Sequence, residues 1–215
     1  MDAIVRAIDV GYGNTKYVTQ AEGGSIRCAH FASAAPATAG QPGAALGDKR
    51  RTLGIAIGDL TYEVGPDAHL AAELYQTRQM HDGYCETPEY LALTRGALGF
   101  MKLERIDLLV LGLSVATYKT RRASLERRMK GVHPLDKGRG VFVERVKVVA
   151  QPQGALMLFG VQSNRIDQIN HERNLVIEVA YRGVRRQDAG VACTLGASRL
   201  GDAIGSRVFS RCAGT

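Results

Sequence analysis

Residues 3–9, "AIVRAID", mostly apolar, and 15–20, "TKYVTQ", with an apolar pair between polar ends, both look like strands, with Gly-Tyr-Gly-Asn between them. Two such segments on either side of a glycine-rich turn predict a β-hairpin. "SIRCAHFASAA" (25–35) alternates well enough for a third strand. The Ala-, Gly- and Pro-rich stretch at 36–48 reads as a flexible loop. "RTLGIAIGDLTYEVG" (51–65) predicts a second small hairpin about Gly58 and Asp59.

Beyond residue 86 the pattern alternates between helical and extended segments. "TPEYLALTRGALGF" (87–100) starts a helix with Thr87 as N-cap and Pro88 in the first helical position. The apolar run "IDLLVLGLSV" (106–115) has strand length and the character of a central strand covered on both faces. "YKTRRASLERRMKG" (118–131) predicts a basic helix closed by Gly131. "GVFVERVKVVAQP" (140–152) alternates as one or two strands, "QGALMLFGV" (153–161) as a short buried helix, and "NLVIEVA" (174–180) as a last strand. Strands first paired as a hairpin and then linked through helices predict an α/β domain, a mixed sheet with flanking helices. A small subdomain is inserted at about 36–86. Residues 179–215 carry six arginines and no lysine and keep no sustained period. Two readings stay open there: a weakly structured tail, or non-native sequence after a frame shift near Glu178.

Composition narrows the class. The chain of 215 residues is 45% hydrophobic and 23% charged, as globular proteins are. No apolar run approaches the roughly 18 residues of a membrane span, and the start lacks the apolar core of a signal peptide, so the expected location is the cytoplasm. Cys28, Cys85, Cys193 and Cys212 are scattered, as are the five histidines, and neither set has the spacing of a metal site. The net charge of +7 is concentrated between Lys119 and Lys147, with ten Lys/Arg against Glu126, Asp136 and Glu144. Lys119, Arg121, Arg122, Arg127, Arg128 and Lys130 would form a basic stripe on one helix. A solvated helix face is the commoner explanation for such a stripe, and no recognised binding motif accompanies it, so specific nucleic-acid binding is not expected.

The turn D-x-G-x-G-N-T-K, Asp9 to Lys16, is the main candidate for chemistry. Glycines at 11 and 13 would let backbone N–H groups approach anionic oxygens. Lys16 would reach terminal phosphates as a point charge. Asp9 beside those phosphates would be repelled unless a divalent cation lay between, which predicts Mg²⁺ held largely through water. A plain hairpin turn accounts for the same residues: glycine for positive φ, Asp and Asn as turn formers, Lys exposed. Spacing alone leaves the two readings even.

"AIDVGYGNTKYV" (7–18) resembles the first phosphate motif of the actin/Hsp70/hexokinase superfamily, and "GNTK" resembles the ParM/StbA group of plasmid-segregation actins. "LLVLGLSVATYK" (108–119) is similar to that group's central strand, with Ser114 in place of a proline. "VKVVAQPQGALM" (146–157) resembles the segment that orients the attacking water. Within the group the nearest likeness is to the PRTRC-system protein D branch. The resemblance covers residues 3 to about 178 and implies an actin-like (RNase H-like) ATPase fold, first domain only. It implies ATP/ADP and Mg²⁺ as cofactors, Gly11, Gly13, Asn14, Thr15 and Lys16 around the phosphates, and Asp9 holding the hydrated metal. Gln151 would orient water, with Gln153 the fallback. As partners it implies further copies, in filaments, and a plasmid adaptor–DNA complex. The domain organisation expected is an actin-like domain at 1–178 followed by the atypical tail.

The second phosphate loop departs from the pattern. A D-x-G-x-x-T-x-D sequence should follow the strand at 174–180. The chain has Glu178 for the first aspartate and Ala180 for the glycine, and lacks the Thr and second Asp. Arg182, Arg185 and Arg186 do not restore that geometry. The family's second domain would lie beyond residue 215, so the chain is expected to be truncated after the first. A non-catalytic actin-like interaction module therefore stands as an alternative to an ATPase. A two-metal nuclease is disfavoured, because only Asp9 among the acids occupies a suitable strand position.

Overall fold

The computed structural model describes residues 3–22, 25–38, 50–70, 82–135, 138–151, 164, 174–181 and 191–198. By compactness the chain divides into two units, residues 1–112 with 120–148, and residues 113–119 with 149–215.

The first unit is built on a six-stranded sheet. Its strands are β1 (Val5–Val10), β2 (Asn14–Glu22), β3 (Ser25–Ala32), β7 (Arg105–Leu113), β8 (Gly131–Pro134) and β9 (Gly140–Ala150), in the order β3-β2-β1-β7-β9-β8. β1, β2 and β3 pair antiparallel, β1 pairs parallel with β7, and β8 pairs antiparallel with β9. This is a mixed sheet, as the element order predicts. A separate three-stranded sheet contains β4 (Ala37–Thr38), β5 (Leu53–Ile57) and β6 (Leu60–Val64), in the order β4-β6-β5. The short β4 lies inside the stretch expected to be loop, and residues 39–48 of that stretch lie outside the described residues.

Helix α1 (Pro88–Met101) starts where the sequence says it should: the Thr87 hydroxyl accepts from Tyr90 N–H at 3.2 Å, with Pro88 in the first turn. It packs against β1 and β2 and also against β5 and β6. Leu93, Leu98, Ile106, Leu109 and Leu111 are all at least 99% buried, each stabilising by roughly 1.5–3 kcal/mol. Gly96 lets α1 approach β6, because a Cβ there would collide with the Val64 side chain.

Helix α2 (Val115–Arg128) begins three residues before the basic run. Ser114 caps it, its carbonyl accepting from Thr117 and Tyr118 N–H and its hydroxyl bonded to that of Thr117 at 2.9 Å. Gly131, read from sequence as the helix stop, instead opens the four-residue edge strand β8. β9 is one continuous strand, and the Glu126 carboxylate on α2 accepts from Val148 N–H at 3.0 Å.

In the second unit, β10 (Asn174–Tyr181) and β11 (Val191–Ser198) form an antiparallel hairpin in which Glu178 is paired with Thr194. β11 falls within 179–215, the stretch whose sequence keeps no sustained period. Val191, Cys193, Thr194 and Leu195 suit a strand, but the alanines and glycine among them dilute the alternation. The expected helix at 153–161 lies outside the described residues. Among the described residues no helix is long and apolar enough to cross a membrane.

Candidate functional site

The period of two in β1 and β2 sorts the hairpin by face. Ile8 and Val10 on β1, with Thr15 and Tyr17 on β2, are buried, and they are paired as Ile8 with Tyr17 and Val10 with Thr15. The alternate positions, Asp9 and Lys16, are then cross-strand partners on the other face. Asp9 is half-buried and Lys16 exposed. One acid and one cation stand side by side, next to the turn that joins the strands.

The turn itself is Gly11-Tyr12-Gly13. Gly11 N–H donates to the Asn14 carbonyl at 3.1 Å, and the Gly13 carbonyl accepts from Ser33 N–H at 3.0 Å. Neither glycine has the positive φ that a plain hairpin turn would have required; the positive-φ glycines among the described residues are Gly58, Gly65, Gly131 and Gly138. A Cβ on Gly11 would stand 3.1 Å from the Asn14 carbonyl, so the turn's own closeness explains that glycine. Among the described residues, a Cβ on Gly13 would meet nothing within 4 Å. Neither backbone conformation nor packing demands glycine at 13, whereas a ligand approaching the backbone would. This open position suits a polyphosphate, and the Asp9–Lys16 pair beside it suits a phosphate-bound cation.

The remaining sequence-derived positions fall as follows. Asn14 is exposed and opens β2. Thr15 is fully buried, its hydroxyl bonded to that of Ser33 at 2.9 Å, so its side chain faces the core and anchors the turn. Gln151 follows β9 directly, is half-buried and belongs to the second unit. Gln153 lies outside the described residues. No group of three or more His, Cys, Asp or Glu side chains suited to holding a metal occurs among the described residues. Any metal here would rest on Asp9, water and the phosphates.

Sequence reasoning missed the surroundings of the turn. Tyr12, at its tip, packs against Tyr84 with ring centroids 5.2 Å apart and planes tilted by 35°, and Tyr84 meets Tyr90 edge-on at 5.6 Å. Burial pushes the Tyr84 phenol up to about 12, helped by Glu89 and Tyr12. Tyr90 is 98% buried, its hydroxyl has no hydrogen-bond partner among the described residues, and burial, with Cys85, Asp9 and Tyr84, raises its pKa far above the ordinary phenol. A bulky aromatic between two turn glycines was the available signal.

The basic stripe on α2 is partly consumed by the fold. Arg121 donates to both Glu86 oxygens at 2.7 Å, and Arg128 donates to the Cys85 and Thr87 carbonyls at 3.2 and 3.4 Å. Both hold the short turn Tyr84–Glu86 that precedes α1.

The sequence matches the family of actin-like proteins, N-terminal domain, over residues 7–154, and the chain belongs to that family. Solved structures share the fold. The apo psk41 ParM protein is 15% identical, with a TM-score of 0.65 over 93% of this chain and 63% of that one. Ta0583, an archaeal actin homolog, is 18% identical, with a TM-score of 0.63 over 91% of this chain and 57% of that one. The same homolog in complex with ADP is 16% identical, with a TM-score of 0.57 over 92% and 56% of the two chains. The chain thus spans less than two thirds of the length of these structures. No curated protein matches the sequence.

Proposed function

We propose that this chain binds ATP or ADP with Mg²⁺ on the β1–β2 turn, as the first domain of an actin-like ATPase of the plasmid-segregation type. The observation that carries this reading is the open Gly13 position beside the Asp9–Lys16 pair. The solved ADP complex of the archaeal actin homolog supports the choice of ligand.

In this reading the backbone from Gly11 to Asn14 lies along the phosphates, Lys16 neutralises their terminal charge, and Asp9 orients the metal's water shell. Thr15 fixes the turn to the core through Ser33. Bound Mg²⁺ would offset charge developing on the phosphates. Gln151, neutral and able both to donate and to accept, would orient the attacking water. Filament formation through further copies, an adaptor–DNA partner, a cytoplasmic location and a domain spanning 1–178 complete the proposal.

A second reading, an interaction module that binds without turnover, draws on Glu178 and Ala180, which stand where the family pattern has Asp and Gly. Isothermal titration with ATP, with and without Mg²⁺, followed by phosphate-release measurements, separates the two. Binding with release supports the ATPase; binding without release leaves turnover alone in question; no binding overturns the nucleotide assignment and favours a module that binds filaments or partners.

A further inference from the structure

We infer that Tyr12 is a positioning residue of the turn: its ring, docked on Tyr84, holds Gly11–Gly13 in the conformation that receives the ligand. The inference deepens the nucleotide reading above and rests on it for the identity of that ligand.

A turn with two glycines in three residues is costly to order, because glycine has the most backbone freedom to lose. A ligand that has to order the turn as it binds forfeits affinity for doing so. Two backbone hydrogen bonds restrain the turn at its base, from Gly11 N–H to Asn14 and from Ser33 N–H to Gly13. At its tip the restraint is the Tyr12 ring.

That ring is 42% exposed, so its removal opens no cavity in the core. Its partner ring is held from several sides. Tyr84 meets the buried Tyr90 ring edge-on, and its segment is tied to α2 by Arg121 through Glu86 and by Arg128 through two carbonyls. An exposed aromatic side chain set on a fixed platform restrains the backbone that carries it. All these residues belong to the first unit.

The test uses Tyr12→Ala and Tyr12→Phe in the full chain, with two readouts. Amide hydrogen exchange of Gly11 and Ser33, measured without nucleotide, reports the turn. Titration with ATP and Mg²⁺ reports affinity. Tyr12→Ala should speed exchange at both amides and weaken ATP binding roughly 2- to 10-fold, the worth of one aromatic pair, with a fall in the urea midpoint no larger than that same pair accounts for. Tyr12→Phe, which keeps the ring, should match the parent in both. Unchanged exchange in Tyr12→Ala, or equal damage from Tyr12→Phe, overturns the inference. If the parent chain binds no ATP, the nucleotide reading fails, while the exchange readout still decides whether the ring restrains the turn.

Discussion

Asp9 and Lys16 are direct cross-strand partners, an acid and a cation held on one face of a hairpin whose other face is core. Such a pair contributes roughly 0.2–1 kcal/mol to a sheet, and the exposure of Lys16 puts it at the low end. Stability is thus a weak reason for placing these charges beside a glycine turn. Lys16→Ala should move the unfolding free energy by no more than about 0.5 kcal/mol while costing about tenfold or more in ATP affinity. Denaturant unfolding and calorimetric titration on the same sample check this. A large loss of stability with unaltered affinity would make the lysine structural.

The two turn glycines should respond differently to alanine. Gly11→Ala presses a methyl group against the Asn14 carbonyl and should lower stability by about 1 kcal/mol. Gly13→Ala enters open space at an ordinary φ, so the fold should be unharmed and nucleotide binding lost. Thermal denaturation of both variants, with and without Mg-ATP, makes the comparison. Unaltered nucleotide affinity in Gly13→Ala would show that no ligand approaches there.

Tyr90→Phe removes a buried hydroxyl that has no partner among the described residues. Leaving such a group unsatisfied costs roughly 1–3 kcal/mol, so its deletion should stabilise the fold by about 1 kcal/mol. A fall in unfolding midpoint would mean that the hydroxyl is satisfied in solution, with a buried water the first candidate partner.

His133 sits in β8 at 2% exposure, with Nε2–H donating to the Met129 carbonyl. Burial lowers its pKa, opposed by that hydrogen bond and reinforced by Arg95. A histidine held neutral in the fold takes up a proton more readily when unfolded. Its contribution is therefore intact above the unfolded value near 6.5 and lost as pH falls below it, toward the depressed folded value. Stability should decline from about pH 6.5 downward, and His133→Gln should flatten that slope. Urea midpoints measured across this range test the effect; a slope unaffected by the substitution would assign it to other groups.

The site's local half was legible in sequence because a period of two and a short turn fix which residues face each other. Asp9 opposite Lys16 follows from counting across the Gly-Tyr-Gly-Asn turn, and the start of α1 follows from Thr87 and Pro88. Contacts set by tertiary packing were not legible. Tyr84 is 72 positions from Tyr12 in the chain, in a segment that α2 arginines hold before α1. The partners of the basic stripe were equally hidden, since Arg121 pairs with Glu86 and Arg128 donates to backbone carbonyls, all of them more than 30 positions away in the chain. Strand β8 was hidden by its first residue, Gly131, which read as a helix stop, and β11 by its small residues. The first turn of α2 was hidden by Val115 and Thr117, β-branched residues that continue the apparent strand.

The central claim is that a metal-bound polyphosphate lies on the Gly11–Lys16 turn, and amide NMR with Mn²⁺ in place of Mg²⁺ tests it most directly. Paramagnetic Mn²⁺ added with ATP should broaden the amides of Gly11, Gly13, Asn14 and Lys16 first, and Asp9→Ala should abolish that broadening. Broadening centred instead on the arginines of α2, or broadening indifferent to Asp9, would contradict the account.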